Sequence, residues 1–412
     1  MSAARSSSTV LVALFLVAAL VAERWLTPAV VSAHVPALDG RWAAAVAALV
    51  LGGLTVIYVR TRQVSLVESA WAAMFLAVAV SAALHPPERA MVCACLPYVL
   101  GLAVLWALRA GGATRRDTLV AASAAMLVLA LSVVLDARDL WPWRARSAWP
   151  PAGLLVNKNF AAEYLTLALP AALVVLGKRP WTRPLLLLPA LAIVVIRCRT
   201  AWIGALALVV VLVAHGVWYA ANRRAIVKLV AGVALAAVAV FGASQFRIRQ
   251  EWVHPDKTSN LVTLQHLFDL KSGNGQLRML EAHLTIEKVR ATPLLGLGPG
   301  GWHRALHQRN VCAHSDYIRV LADGGVVALA ALALLYLAMG WAAARRFREA
   351  PEELAFVAAL AILSFAEVPL FRSESVPLIA ALSLPLLTRR ARRVTTRDRP
   401  GAPAALVHSA AM

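Results

Sequence analysis

The chain has 412 residues, 60% of them hydrophobic and 15% charged, with a mean hydropathy of +0.70 and a formal net charge of +20. A soluble domain averages about 45–50% apolar and 25% charged residues, so this composition excludes a water-soluble globule and indicates a polytopic membrane protein. The positive charge does not point to nucleic acid, because no soluble nucleic-acid module is visible.

The apolar runs are too long and too uniform for barrel strands, so an all-α fold of about twelve transmembrane helices is expected. The runs fall near 9–22, 42–59, 64–84, 90–108, 118–135, 152–176, 182–197, 200–221, 226–243, 318–341, 353–370 and 375–388. The run at 182–197 is short and broken by proline. The first run, after Arg5, is either a secretory signal ending near Ala22 or an uncleaved first helix, and the second reading keeps the topology consistent. Residues 1–243 then carry the first nine helices, 244–317 a large external loop with amphipathic helices, 318–388 the last three helices, and 389–412 a basic tail.

Lys and Arg set the orientation. Short basic loops carry Arg60 and Arg62, then Arg109, Arg115 and Arg116, then Lys178, Arg179 and Arg183, then Arg223, Arg224 and Lys228, and then Arg345, Arg346 and Arg348. With Arg5 and the Arg389–Arg399 tail, this side holds 21 of the 41 basic residues. It is expected to face the cytoplasm, with both termini inside and 244–317 outside, in the periplasm if the cell has one. The remaining basic residues are unusual for external loops. Arg144, Arg146, Arg197, Arg199, Arg247, Arg249, Arg278 and Arg290 have few acidic neighbours. They suggest an anionic ligand such as a lipid phosphate or pyrophosphate, or else a general attraction to anionic headgroups.

Three segments can carry chemistry. The first, Asn157-Lys158-Asn159-Phe-Ala-Ala-Glu163, places two amides, a cation and a carboxylate at the start of a span. Such groups mark a functional cavity or satisfy neighbouring helices. The second is the Arg197 and Arg199 pair, which either binds phosphate oxygens through planar guanidinium groups or snorkels to headgroups.

The third segment is the external loop. From Gln276 to Ala291, Leu277, Leu280, Leu284 and Val289 recur at roughly helical spacing, with Arg278, Glu281, Thr285 and Lys288 largely elsewhere. This pattern predicts an amphipathic helix on or near the membrane face. Pro293 ends it, and Gly296, Gly298, Gly300 and Gly301 either point backbone N–H groups at an anion or form a plain turn. His314 precedes a long apolar run. A helix N-terminus there disfavours imidazolium and suits a general base, although a lone histidine at a membrane edge can also be just an interfacial polar residue.

His303 and His307 stand four apart and raise the idea of a metal site, but no HExxH pattern is present and solvated histidines are the preferred reading. No metal and no cofactor are expected. Cys93, Cys95, Cys198 and Cys312 suggest neither a disulfide framework nor a zinc ribbon.

Together these segments resemble the O-antigen ligase and O-antigen polymerase superfamily of bacterial envelope glycosyltransferases. The family's N-x-N-x-x-A pattern is similar to Asn157-Lys158-Asn159-Phe-Ala-Ala, and its Ser-Arg motif to Cys198-Arg199, with cysteine replacing the common serine. Its loop pattern is similar to Arg278, then Pro293-Leu-Leu-Gly-Leu-Gly-Pro-Gly300, then Ala313-His314-Ser315-Asp316-Tyr317-Ile318, and Gly324-Gly325-Val-Val also fits. The resemblance covers about residues 150–340.

The resemblance implies an inverting, metal-independent transferase with Arg199, Arg278 and His314 in the catalytic positions. Arg197, Asn157, Lys158, Asn159, Gly298, Gly300, Asp316 and Tyr317 are expected to bind substrate. The implied donor is a glycan on undecaprenyl pyrophosphate. The implied acceptor is a sugar hydroxyl of lipid A-core or another glycan, with membrane lipids around the site. Ligation, polymerisation and transfer to protein share this donor chemistry, and the loop stands closest to the ligase form. A secondary transporter also suits about twelve spans with both ends inside, but the two halves show no similarity and few ionisable residues sit mid-span. Glu68 and Glu367 are the exceptions, and Glu367 either lines the site or pairs with an arginine.

Overall fold

In a computed structural model, the described residues are 2–25, 52–53, 64–85, 89–138, 140, 151–155, 157–219, 274–301, 314–372 and 375–387. Every regular element among them is helical. In chain order these are α1 (Ser2–Trp25), α2 (Leu66–Leu84), α3 (Arg89–Ala110), α4 (Arg115–Ala137) and α5 (Lys158–Leu176). A 3-10 segment (Pro180–Leu186) leads into α6 (Leu187–Ile196) and α7 (Arg199–Tyr219). Then come α8 (Asn274–Val289), α9 (Asp316–Ala344), α10 (Pro351–Ala366), a 3-10 turn (Pro369–Phe371) and α11 (Ser375–Leu387).

Five of these helices, α2, α4, α5, α7 and α9, are long and apolar enough to cross a membrane. Shorter apolar helices occupy Thr9–Leu20, Pro97–Ala110, Pro180–Ile196 and Ser375–Leu387. The expected spans near 42–59 (apart from residues 52–53) and 226–243, the first part of the external loop and the basic tail lie outside the described residues.

Two expected spans have different ends from those read in the sequence. The run 152–176 becomes a helix only from Lys158, because Gly153 adopts φ +63 and Asn157 caps the helix by accepting from the Asn159 N–H at 2.8 Å. The run 353–370 stops at Ala366, where Glu367 is extended (φ −144, ψ −178), ahead of Pro369.

Starts and packing follow local chemistry. Ser65 with Glu68 and Thr114 with Asp117 form capping boxes that begin α2 and α4. Helix α9 packs against α2 and α10, α4 against α1, α5 and α6, and α11 against α3. The core is filled by Trp71, Phe75, Tyr98, Met126 and Tyr164 among many alanines and leucines. Gly101 leaves room for the Trp71 ring, since a Cβ there would lie 2.2 Å from it. Small residues of this kind let apolar helices approach closely in lipid.

The ionisable groups gather at two ends. At one end Arg109 pairs with Glu68, and Arg115 pairs with Glu352 and with Glu353 at 3.0 Å. Arg346 joins Glu353 there at 3.3 Å. These arginines come from the loops that the sequence assigns to the cytoplasm. The second gathering surrounds Glu367, at the far end of the 16-residue α10, about 24 Å away at the rise of an α-helix.

Candidate active site at the broken end of α10

Glu367 is fully buried and is the hub. One carboxylate oxygen accepts from Arg278 Nη2 at 2.6 Å and from Asn159 Nδ2 at 3.2 Å, and the other accepts from Arg372 Nη2 at 3.2 Å. Arg372 also lies 3.3 Å from the buried carboxylate of Glu163 and covers the Phe160 ring at 3.3 Å. Two acids, two guanidinium groups and an amide thus come from α5, α8 and the segment after α10. Burial makes each of these charges dependent on its partners.

His314 is held beside this hub by the chain that follows it. The Asp316 N–H donates to the Glu367 carbonyl at 3.2 Å, and Ser315 Oγ donates to the Ser364 carbonyl at 3.1 Å. Asp316 Oδ2 accepts from Ser364 Oγ at 2.6 Å and from the Leu370 N–H at 3.3 Å. Asp316 is therefore turned into the protein, where it ties the start of α9 to the broken end of α10. The Tyr317 hydroxyl is likewise used inside, on the Ala361 carbonyl at 3.1 Å.

His314 itself is half-buried. Burial lowers its pKa below the ordinary histidine value, Glu367 opposes that shift, and Arg278 and Arg372 reinforce it. The imidazole is neutral at pH 7 and able to accept a proton.

The other expected residues converge from α6 and α7. Arg197 ends α6 in a left-handed conformation (φ 55, ψ 48), the one non-glycine residue with positive φ among the described residues. That conformation costs an L-residue roughly 1–2 kcal/mol and persists only where the surroundings impose it. Arg199 opens α7 on the other side of Cys198. Lys158 lies in the fields of Cys198, Arg197, Arg199 and Glu367, which puts the two sequence motifs in one neighbourhood. Burial raises the Cys198 thiol above its usual range and Glu367 adds to the shift, so this cysteine is protonated rather than nucleophilic.

Helix α8 does not divide its faces as its leucines suggest. Glu281, Thr285 and Val289 are buried and Arg278 is half-buried, whereas Met279, Leu280 and Ile286 are exposed. The inward stripe is thus mainly polar and delivers Arg278 to Glu367. Arg278 Nε makes no hydrogen bond among the described residues, leaving a guanidinium donor uncommitted.

The glycine-rich turn is built for backbone docking. Leu297 N–H donates to the Ala322 carbonyl at 2.7 Å and Val326 N–H to the Pro293 carbonyl at 2.8 Å. Gly325 breaks α9 with φ 68, ψ −163, a region open only to glycine, and a Cβ there would sit 2.3 Å from Leu294 backbone atoms. Gly300 N–H is directed to Asp323 at 3.3 Å, and Gly298 lies against the His85 ring. The Gly300 contact belongs to a set in which Asp323 also accepts from the Tyr98 hydroxyl at 3.1 Å and pairs with Arg319 at 3.6 Å.

Glu367 is legible in the sequence only as an isolated acid with two possible roles, Glu163 only as the carboxylate of the Asn157–Glu163 segment, and Arg372 not at all. The available signal was their charge within or beside apolar segments, flanking the Pro369 break. His303 and His307 lie outside the described residues.

A helical membrane protein with buried, convergent cations and a neutral histidine at one end of the bundle has the equipment to bind an anionic group and move a proton. Residues 184–333 match the family model of O-antigen ligase, so this part of the chain is similar to the O-antigen ligase/polymerase superfamily. The match spans Arg197, Arg199, Arg278, the glycine turn and His314, while Asn157–Asn159, Glu367 and Arg372 lie outside it. No curated protein matches the chain.

Proposed function

We propose that the protein transfers a glycan from undecaprenyl pyrophosphate to a sugar hydroxyl at the periplasmic face of the bacterial inner membrane, as an O-antigen ligase acting on lipid A-core. The observation that carries this reading is the convergence of Arg278, Arg372, Asn159 and Glu367 beside His314. The donor's pyrophosphate is a good leaving group once its charge is offset. Arg278 and Arg199 hold the phosphate oxygens and stabilise charge as the bond breaks.

The acceptor hydroxyl loses its proton to His314, and its oxygen attacks the anomeric carbon with inversion. The bond from that carbon to the pyrophosphate oxygen breaks, and the electron pair leaves with the pyrophosphate. Glu367 stabilises the imidazolium that forms. No metal is assigned a step.

Polymerisation of repeat units is the alternative within the same chemistry, differing only in the acceptor. Complementation of ligase-null and polymerase-null strains, scored by lipopolysaccharide banding, separates them. Restored capping of lipid A-core is expected in the ligase-null strain, and restored ladder formation only in the polymerase-null strain would overturn the ligase reading.

A further inference from the structure

At the end of the bundle away from Glu367, a cavity of about 520 Å³ opens between the start of α4, the end of α5 and the 3-10 segment. Four cations line it: Arg115, Arg116, Lys178 and Arg179. Arg115 is committed to Glu352 and Glu353. Arg116, Lys178 and Arg179 are exposed and have no carboxylate within ion-pair distance among the described residues. Below them the wall is apolar, formed by Leu119, Val120, Val174 and Val175. A free phosphate has no use for that wall, whereas an acyl chain does.

The rim has the features of a membrane interface. The 3-10 segment folds back on α5, with Thr182 Oγ1 donating to the Arg179 carbonyl at 2.9 Å and Arg183 Nε to the Gly177 carbonyl at 3.1 Å. This leaves Trp181, Leu185 and Leu187 exposed beside the cations, with Arg179 over the Trp181 ring at 5.7 Å. Tryptophan next to basic residues at a helix end marks headgroup depth, and basic pockets between spans recognise anionic headgroups.

We infer that this cavity is a binding site for an anionic glycerophospholipid. Its phosphate sits among Arg116, Lys178 and Arg179, and an acyl chain lies along Leu119 and Val175. The site is separate from the proposed transfer site.

The test uses the full-length protein in phosphatidylcholine nanodiscs, titrated with phosphatidylglycerol and read by native mass spectrometry and by the unfolding temperature. Phosphatidylglycerol is expected to be retained and to raise the unfolding temperature. Each cation removed should weaken binding about fivefold, so a Lys178→Ala/Arg179→Ala double variant binds about 25-fold more weakly. Lys178→Arg should keep binding. Arg116→Ala gives an independent reading should the double variant unfold in phosphatidylcholine alone. Equal retention of phosphatidylcholine, or unchanged phosphatidylglycerol affinity in the folded variants, overturns the proposal. So does an equal stabilisation by inorganic phosphate, which would make the cavity a simple anion site.

Discussion

Arg278 and Glu367, 89 residues apart, meet at 2.6 Å and join α8 to the break after α10. Two segments separated in sequence thereby form one charged centre, and each residue has a second obligation. Arg278 keeps a buried Nε–H that no described residue accepts, and Glu367 also holds Arg372 and Asn159. Arg278→Lys and Arg199→Lys keep the charge but lose the planar fork. Both should impair transfer about 10–100-fold, the scale of one lost hydrogen bond to a charged group. Single-turnover transfer and donor binding in nanodiscs, with membrane abundance checked, measure this. Normal rates in both variants would remove the arginines from the chemistry.

For His314 the prediction separates binding from transfer. His314→Ala leaves the phosphate contacts in place, so it should still bind donor while transferring at least about a hundredfold more slowly. His303→Ala and His307→Ala should be much milder. Near-normal transfer by a folded His314→Ala protein would sink the mechanism.

The same histidine sets a pH limb. Its pKa lies below the ordinary 6.5, and the base is lost as pH falls through that lowered value. Glu367 pulls the pKa upward, whereas Arg278 and Arg372 push it down. Glu367→Gln should therefore move the acid limb of the residual rate to still lower pH. An unmoved or upward-shifted limb would mean that Glu367 and His314 are not electrostatically linked in catalysis.

Much of the site was legible because its chemistry stands out against apolar sequence. Asn157–Asn159, Arg197, Arg199, Arg278 and His314 were each visible as polar groups at span ends, and the structure brings them toward one hub. Other features depend on tertiary pairing that no local pattern reports. The sequence marks Asp316 and Tyr317 as candidate ligands but not their bonds to Ser364 and Ala361, because only the fold places α10 beside the start of α9. Hydropathy likewise predicted the α8 helix but not the inward turn of its polar stripe, which answers to the buried charge on Glu367.

Orientation is testable directly. A reporter fused after Gly273 should read periplasmic, and one after Arg346 cytoplasmic, in line with the basic loops. A cytoplasmic reading at Gly273 would put the hub on the wrong side for a periplasmic acceptor.

Gly325 is the hinge on which the glycine turn seats. Gly325→Ala forces a Cβ to within 2.3 Å of Leu294 backbone atoms and meets a backbone conformation closed to alanine. Loss of folded protein, or an unfolding temperature several degrees lower, is expected, since such strain costs about 1–3 kcal/mol. An alanine variant as stable as wild type would show that α9 does not need this break.

Glu281 makes the last prediction. It is buried on α8, neither carboxylate oxygen has a hydrogen-bond partner among the described residues, and burial pushes its pKa up to about 7 against the opposing pull of Arg278. An unfolded chain ionises this group near the ordinary glutamate value of 4.5. The folded protein holds the proton until about pH 7. Its contribution to stability is therefore complete below the unfolded value and is lost as pH rises through the folded one. Glu281→Gln removes that dependence without removing bulk. The wild-type unfolding temperature should fall more steeply between pH 5 and pH 8 than that of Glu281→Gln, by the equivalent of at most about 3 kcal/mol. Parallel slopes for the two proteins would show that Glu281 titrates as a solvated carboxylate and that the polar stripe of α8 does not stay closed against the bundle.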